Sequence, residues 1–203
     1  MKRPAPRAFL AVLTALALLG AGVIAGRLTA AQAGPAGITL SDTEIGFAQD
    51  MTAHHQQALS LVRRLDPGAE ATVRQLATQI ADNQRVEIGI MLGWLRLVNA
   101  PAAARVPMRW MGEHAGHDSA MPGMASTAEL AALAGARGPD AETRFLQLML
   151  RHHEGGISMA RAADNLIAAG PVKEAARSML TDQGKEAGRI GLLLSQRGAQ
   201  PLR

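Results

Sequence analysis

The sequence predicts an all-α protein, a bundle of four long helices formed by two helical hairpins. Runs that alternate β-branched or aromatic residues with polar ones are missing, and aromatic residues make up only 2% of the 203 residues. Apolar residues recur with helical spacing in four long segments, which are bounded by capping residues or by Pro and Gly. Two of these segments also repeat the other two in sequence, and the repetition predicts a duplicated hairpin.

The repeat is clearest between the first and third long segments. A shift of 98 positions aligns residues 47–63 with 145–161 and gives seven identities, and a shift of 99 aligns the second and fourth segments. We expect a pseudo-twofold bundle in which the first helix faces the third and equivalent residues converge near the axis. The identical pairs are Phe47 with Phe145, Gln49 with Gln147, Met51 with Met149, His54 with His152, His55 with His153, Ser60 with Ser158, Arg63 with Arg161, Gln84 with Gln183, Glu87 with Glu186 and Gly89 with Gly188.

The first 33 residues have the composition of an export signal. Residues 1–7 carry three basic side chains, and residues 8–25 are apolar apart from one Thr and two Gly. Two hypotheses stay open. Cleavage after Ala31-Gln32-Ala33 would release a mature domain of residues 34–203, whereas without cleavage residues 8–25 would tether that domain to the outer face of the membrane. Both predict an extracytoplasmic protein whose membrane contact is confined to residues 1–33.

The charge and the cysteine content exclude several classes of function. The net charge of +4 resides in residues 1–33, because the remainder carries 17 basic and 17 acidic residues. The domain therefore has no excess of basic side chains for binding nucleic acid. The absence of cysteine excludes disulfides and thiolate ligands. Soft-metal chemistry would have to use methionine and histidine.

The first hairpin has clear boundaries. Ser41 and Glu44 form the pattern of a capping box, and the helix that they open continues to about Leu65. The break Asp66-Pro67-Gly68 separates it from a second helix over about 69–98.

The second hairpin follows a long loop and a short helix. Residues 99–125 are rich in Pro, Gly, Met and His and have no helical or strand period, so we expect a loop. A second capping box, Ser126 with Glu129, opens a short helix to about Ala134. Gly138-Pro139 opens the third long helix, which continues to Ala169, and Gly170-Pro171 opens the fourth, which reaches about Arg197. The predicted division is therefore repeat 1 at about 41–98, the Met/His loop at 99–125 and repeat 2 at about 139–197.

The facing helices each carry a histidine pair on or beside an apolar stripe. His54 and His152 lie on the stripe and His55 and His153 lie next to it, and a buried imidazole needs a partner for each ring nitrogen or a metal. Glu87 and Glu186 would either ligate a metal or orient the rings, and contacts between His and Glu without any metal are the alternative. Asp50, one turn before His54, is a weaker candidate for orienting that ring. The candidate ligands in the bundle are Met51, His54, His55, Glu87, Met149, His152, His153, Met159 and Glu186.

The loop is a second candidate metal site. It places methionine and histidine at intervals of three or four residues. Thioether sulfur is a soft ligand that selects Cu(I) or Ag(I), and imidazole also accepts Cu(II). The alternative is that these methionines, with Trp110, fold down as a hydrophobic lid over the bundle. The candidate ligands in the loop are Met108, Met111, His114, His117, Met121 and Met124.

The motifs of common enzymes are not present in this sequence. A di-iron centre of the ferritin type needs a Glu-x-x-His on each of two helices, and the chain has none. It also has no nucleophile elbow and no phosphate-binding loop. We therefore predict that the protein is not an enzyme, and a metal-dependent redox enzyme is the third hypothesis for its function.

The doubled motif resembles a known family. The pattern Phe47-x-x-Asp50-Met51-x-x-His54-His55 with Gln84-x-x-Glu87, repeated as Phe145-x-x-x-Met149-x-x-His152-His153 with Gln183-x-x-Glu186, is similar to the ferritin-like family called domain of unknown function 305. That family includes CopM-type extracytoplasmic copper-binding proteins. The resemblance covers about residues 40–197 and implies a ferritin-like four-helix fold and copper binding by Met and His without catalysis. The halves differ, because Leu148 stands where the first has Asp50 and Ile190 where it has Met91.

Our leading hypothesis is an extracytoplasmic protein that binds a copper ion. Cu(I) is favoured over Cu(II) because of the thioethers. The role would be sequestration or handover, with a copper-delivering or copper-accepting protein as partner. The alternative is a metal-free helical interaction module at the cell surface.

Overall fold

The computed structural model describes residues 38–114 and 121–202, and the structured unit begins at Leu40. The predicted leader 1–33, with its cleavage site and the apolar run 8–25, lies outside these residues. Within the described residues the regular secondary structure is entirely helical, as predicted, and none of these helices is long and apolar enough to cross a membrane. The α-helices are α1 (Asp42–Val62), α2 (Ala71–Leu97), α3 (Thr127–Gly135), α4 (Gly138–Leu166) and α5 (Pro171–Gln196).

Both predicted capping boxes are confirmed. The Ser41 side chain accepts from the Glu44 N–H at 3.3 Å, and the Glu44 carboxylate accepts from the Ser41 N–H at 2.8 Å. The same reciprocal pair opens α3 at Ser126. Each box satisfies two backbone donors that the first helical turn leaves without a partner.

Two helices end about three residues earlier than predicted. After Val62 the helix narrows to a 3-10 turn, because the N–H groups of Arg64 and Leu65 bond to carbonyls only three positions back, at Leu61 and Val62. At the end of α4, Lys173 donates to the carbonyl oxygens of Asp164 and Ile167, and Ile167 itself is extended. These side-chain bonds satisfy the terminal carbonyls and end the helix before Ala169.

The hydrophobic core of the bundle has two clusters. The leucine cluster joins the carboxyl-terminal half of α1 and the amino-terminal half of α4, including Leu61, Phe145 and Met149. The methionine cluster joins the opposite halves of the same helices, including Phe47, Met51 and Met159. The pseudo-twofold axis therefore crosses the bundle, so that residues far from the axis have their equivalents at the opposite end.

The two ends of the bundle are covered differently. Leu133 of α3 is buried in the leucine cluster, whereas Met108 and Met111 of the 99–125 segment are buried in the methionine cluster. The expectation that this segment has no regular structure is wrong in one part, because Arg109–His114 forms a 3-10 helix with a kink at Gly112. Burial of the apolar side chains explains this local order, which composition alone did not indicate.

Helix α1 forms hydrogen bonds with both ends of the 99–125 segment. Gln49 donates to the Pro101 carbonyl at 2.7 Å, and Gln57 exchanges two hydrogen bonds with the backbone of Ala125. The repeat-related Gln147 donates in the same way to the Gln200 carbonyl, at 2.6 Å. The equivalence of these bonds shows that the sequence repeat is also a structural repeat.

Candidate metal centre

The two histidines predicted to converge lie in contact at the centre of the bundle. The rings of His54 and His152 stack with their centroids 3.8 Å apart, and both residues are 0% exposed. They meet because equivalent residues close to a twofold axis must approach each other. His54 Nε2 lies 3.1 Å from the Pro122 carbonyl oxygen, and His152 Nε2 lies 2.9 Å from the His54 carbonyl oxygen.

The second histidine of each pair binds a glutamate on the neighbouring helix. His55 Nε2 lies 2.6 Å from the Glu87 carboxylate, and His153 Nε2 lies 2.7 Å from the Glu186 carboxylate. Glu186 also accepts from the Asn83 amide at 2.8 Å. The glutamates therefore orient the outer imidazoles, and all four rings are fully buried.

The hydrogen bonds place a proton on Nε2 of all four imidazoles. Each Nε2 faces a carbonyl or carboxylate oxygen, which only accepts, so each Nε2 carries a proton. None of the four Nδ1 atoms has a hydrogen-bond partner, and in the neutral rings of His54 and His152 this atom carries a free lone pair. Because buried polar atoms are nearly always paired, these two free lone pairs are compatible with a ligand at this layer.

Burial keeps the central rings neutral. Burial, with a smaller contribution from the neighbouring His55, lowers the pKa of His54 to about 3. Burial also holds the pKa of His152 well below its usual range, assisted by the adjacent His54 ring. A neutral imidazole is the form that binds a metal, so these rings would not have to lose a proton first.

The methionine cluster contains most of the methionines that were predicted as ligands in the bundle and in the loop. Met51 and Met159 come from the bundle set, and Met108 and Met111 from the loop set. Met121 packs against the cluster from its partly buried position. The loop methionines thus form the hydrophobic lid of the alternative hypothesis, and the same packing places them in one cluster with methionines of the bundle.

A binding site made only of histidine and carboxylate is not found. In the ranges 38–114 and 121–202, no three His, Asp or Glu side chains lie close enough together to hold one metal ion. The methionine cluster offers thioether donors, which favour a soft ion over zinc or magnesium.

Several predicted residues lie elsewhere. Met149 is buried in the leucine cluster, at the other end of the bundle from Met51. Met124 is half-buried outside both clusters. The side chain of His114 and the whole of His117 lie outside the described part of the chain.

The suggestion that Asp50 orients His54 is wrong. The Asp50 carboxylate instead accepts from the Met108 backbone N–H at 2.6 Å and from the Trp110 indole N–H at 3.0 Å. Its pKa is raised by burial, and these two hydrogen bonds oppose the rise. Asp50 therefore fixes the loop to α1.

Sequence analysis missed further members of the site. Met91 and Met179 are buried in the methionine cluster, and neither was among the candidate ligands. Gln84 and Gln183 are buried with side-chain atoms that lack partners. The alignment of the second and fourth helices already contained the signal for the glutamines, because both are identical across the repeat.

Comparison with known proteins gives a family and two structural relatives. The family model described as domain of unknown function (DUF305) matches residues 44–194. The crystal structure of a DUF305 protein from Streptomyces coelicolor, provisionally described as secreted, is 38% identical with a TM-score of 0.73, and covers 79% of this chain and 96% of its own. The crystal structure of a DUF305 fragment from Deinococcus radiodurans is 32% identical with a TM-score of 0.67. The match covers 78% of this chain and 99% of the fragment. No curated protein matches the chain.

Proposed function

The chain belongs to the DUF305 family, and from this premise we propose that it is an extracytoplasmic protein that binds copper as Cu(I) in the methionine cluster, for sequestration or handover. The basic and apolar leader supports export, and so does the description of the Streptomyces relative as secreted. A copper-delivering or copper-accepting protein would be its partner.

The observation that carries the proposal is the unequal distribution of sulfur across the pseudo-twofold axis. Six of the ten methionines are buried in the methionine cluster. Four of these lie on the long helices, at Met51, Met91, Met159 and Met179, and the equivalent positions at the other end hold Met149, Ile190, Leu61 and Ile80. Leucine and isoleucine fill such positions equally well in a core, so packing alone does not require the excess of methionine.

The donors fit a soft, singly charged ion. A thioether carries neither charge nor proton, and a neutral imidazole adds a lone pair without charge. Met51 lies one helical turn before His54, so sulfur and the buried imidazole layer adjoin along α1. The apolar surroundings exclude water from the donors. We propose binding without turnover, in which the chain holds its cargo and performs no reaction on it.

The first experiment is a competition titration of the purified protein against a Cu(I) chelator, at pH 7 and at pH 5. We expect most of the affinity to persist at pH 5, because thioethers carry no proton and burial lowers the pKa values of the central rings His54 and His152, whereas binding by exposed histidines alone would weaken as those ligands protonate. Failure to take Cu(I) from the chelator at either pH would contradict the proposal.

The repeat supplies a matched pair of variants for the same titration. Met51→Leu and Met149→Leu make the same volume-conserving change at equivalent positions, and each should cost less than about 1.5 kcal/mol of stability. We expect Met51→Leu to weaken Cu(I) binding about tenfold, which corresponds to about 1.4 kcal/mol. Met149→Leu should leave binding unchanged, and equal effects of the two would contradict a site in the methionine cluster.

A metal-free interaction module is the second candidate function. It is favoured by the contacts of His55 with Glu87 and of His153 with Glu186, which partner the outer rings without a metal. Metal analysis after copper exposure, beside a variant with all four bundle histidines changed to alanine, separates the two. Copper bound to the natural protein and reduced in the variant supports the proposed function, and copper bound to neither supports the module.

A further inference from the structure

Asp50 is a buried carboxylate whose two observed partners both come from the 99–125 segment. The residue is only 2% exposed on α1, and one carboxylate oxygen accepts from both the Met108 N–H and the Trp110 indole. The equivalent position in the second repeat is Leu148, which packs in the leucine cluster. The buried Asp50 carboxylate therefore has no equivalent in the second repeat, and it lies at the end of the bundle where this segment covers methionines.

The surface of α1 next to Asp50 is shaped to receive Trp110. A Cβ atom added at Gly46 would lie 2.6 Å from the Trp110 Cβ, so only glycine leaves room there. The Trp110 ring meets Phe47 edge-on, with the centroids 5.4 Å apart. Three residues within about one turn of α1, Gly46, Phe47 and Asp50, thus fix the position of one indole.

The segment held by Asp50 is strained at Met108. Its φ of 64° lies in the left-handed region, which is unfavourable for a residue with a side chain. The hydrogen bond from the Met108 N–H to Asp50 helps to hold this conformation. Solvent-accessible grooves of about 570 Å³ beside Trp110 and about 210 Å³ at Met111 lie along this segment.

We infer that Asp50 is the positioning residue of a latch, which holds residues 108–111 closed over the methionine cluster and sets how fast Cu(I) enters and leaves. This inference rests on the proposed function, because the cargo is the Cu(I) bound there. Asp50 is not a ligand in this scheme. It acts by keeping Met108 and Met111 against the sulfur atoms of the helices.

The first test measures the latch without metal. The chain has two tryptophans, so Trp94→Phe leaves Trp110 as the only one. In that background we compare the natural Asp50 with two variants. Asp50→Leu introduces the residue type that occupies the equivalent position 148, and Asp50→Asn is a smaller change. Asp50→Leu removes both hydrogen bonds and should release the indole to water, which shifts its emission to longer wavelength, whereas Asp50→Asn keeps an acceptor oxygen without the charge and should give a smaller shift. An unchanged emission in both variants would overturn the latch.

The second test measures release of Ag(I), a soft ion that stands in for Cu(I) and is stable in air. Stopped-flow transfer of Ag(I) to a competing chelator should be about tenfold faster for Asp50→Leu, as expected for the loss of hydrogen bonds to a buried charge. Leu133→Ala, in the leucine cluster, is the control for general destabilisation and should release Ag(I) at the natural rate. If Asp50→Leu does not fold, Asp50→Asn carries the test.

The outcomes separate the two proposals. A natural protein that takes up no Ag(I) overturns the proposed function and this inference with it. A natural protein that binds Ag(I), but releases it at the same rate in both Asp50 variants, overturns the latch and leaves the proposed function standing. Faster release in Leu133→Ala as well would also overturn the latch.

Discussion

The buried imidazoles link the stability of the metal-free protein to pH. The pKa of His54 is about 3 in the folded protein and that of His152 is also lowered, whereas an unfolded chain has histidine pKa values near 6.5. Below about pH 6.5 the unfolded state therefore binds more protons than the folded state. We expect the free energy of unfolding to fall with falling pH, by up to about 1.4 kcal/mol per pH unit for each ring.

Denaturant unfolding at pH 7, 6 and 5 measures this slope. The Glu129 carboxyl adds no slope in this window, because its pKa is lowered to about 2 and its stabilisation is complete above about 4.5, whereas the raised pKa of Asp50 opposes the histidine slope. His54→Gln should reduce the slope by about half, since one of two titrating rings is removed. A variant with the natural slope would show that His54 does not contribute.

Replacement by alanine should change the stability of the protein in opposite directions at two glycines that both lie inside long helices. A Cβ at Gly155 would collide with the Pro122 backbone, whereas a Cβ at Gly89 meets nothing within 4 Å. In a helix, replacing glycine by alanine stabilises by about 1 kcal/mol where there is space. We expect Gly89→Ala to raise the melting temperature and Gly155→Ala to lower it, through overpacking worth about 1–3 kcal/mol. The same sign for both would contradict the close contact of segment 122–123 with α4.

Among the elements, α3 depends on its cap more than the long helices do. It has nine residues, and Glu129 both completes its capping box and forms two hydrogen bonds of 2.8 Å with Arg151 on α4. A helix this short is marginal without such contacts.

The contribution of the α3 cap to stability can be tested by replacing serine with alanine at the cap and at a control position. Ser126→Ala should lower the free energy of unfolding by about 1 kcal/mol, because the cap bond is lost. Ser178→Ala, at an exposed position inside α5, should leave it unchanged or slightly raised, since alanine is the better helix former. Equal losses in calorimetry would contradict a specific role of the cap.

The 99–125 segment shows what composition can and cannot indicate about an element. Its Pro and Gly content correctly predicts a connection between hairpins. The 3-10 helix at Arg109–His114 could not be predicted, because no periodic pattern specifies it. It depends on contacts with α1, above all those of Trp110 with Gly46 and Asp50, which are about 60 residues away in sequence.

For the whole molecule, the separation of the core into two clusters predicts a local effect of metal binding. Ag(I) at 100 times its dissociation constant should stabilise the protein by about 2.7 kcal/mol. Hydrogen exchange should then slow most in the amino-terminal half of α1 and the carboxyl-terminal half of α2, which line the methionine cluster. Amides of the leucine cluster that open only on global unfolding serve as the reference. Protection confined to the leucine end would contradict the proposed site.

The sequence by itself determined the helical class, the capping boxes, the duplication and the meeting of His54 with His152. These features follow from local periodicity and from symmetry, since residues at a twofold axis must adjoin. The tertiary structure alone decided which methionines share a cluster. Equivalence in the repeat suggested that Met51 and Met149 belong together, but the axis crosses the helices and separates them to opposite ends. The methionines of the loop then cover one end, so packing between distant segments places them in one cluster with Met51 and leaves Met149 in the other.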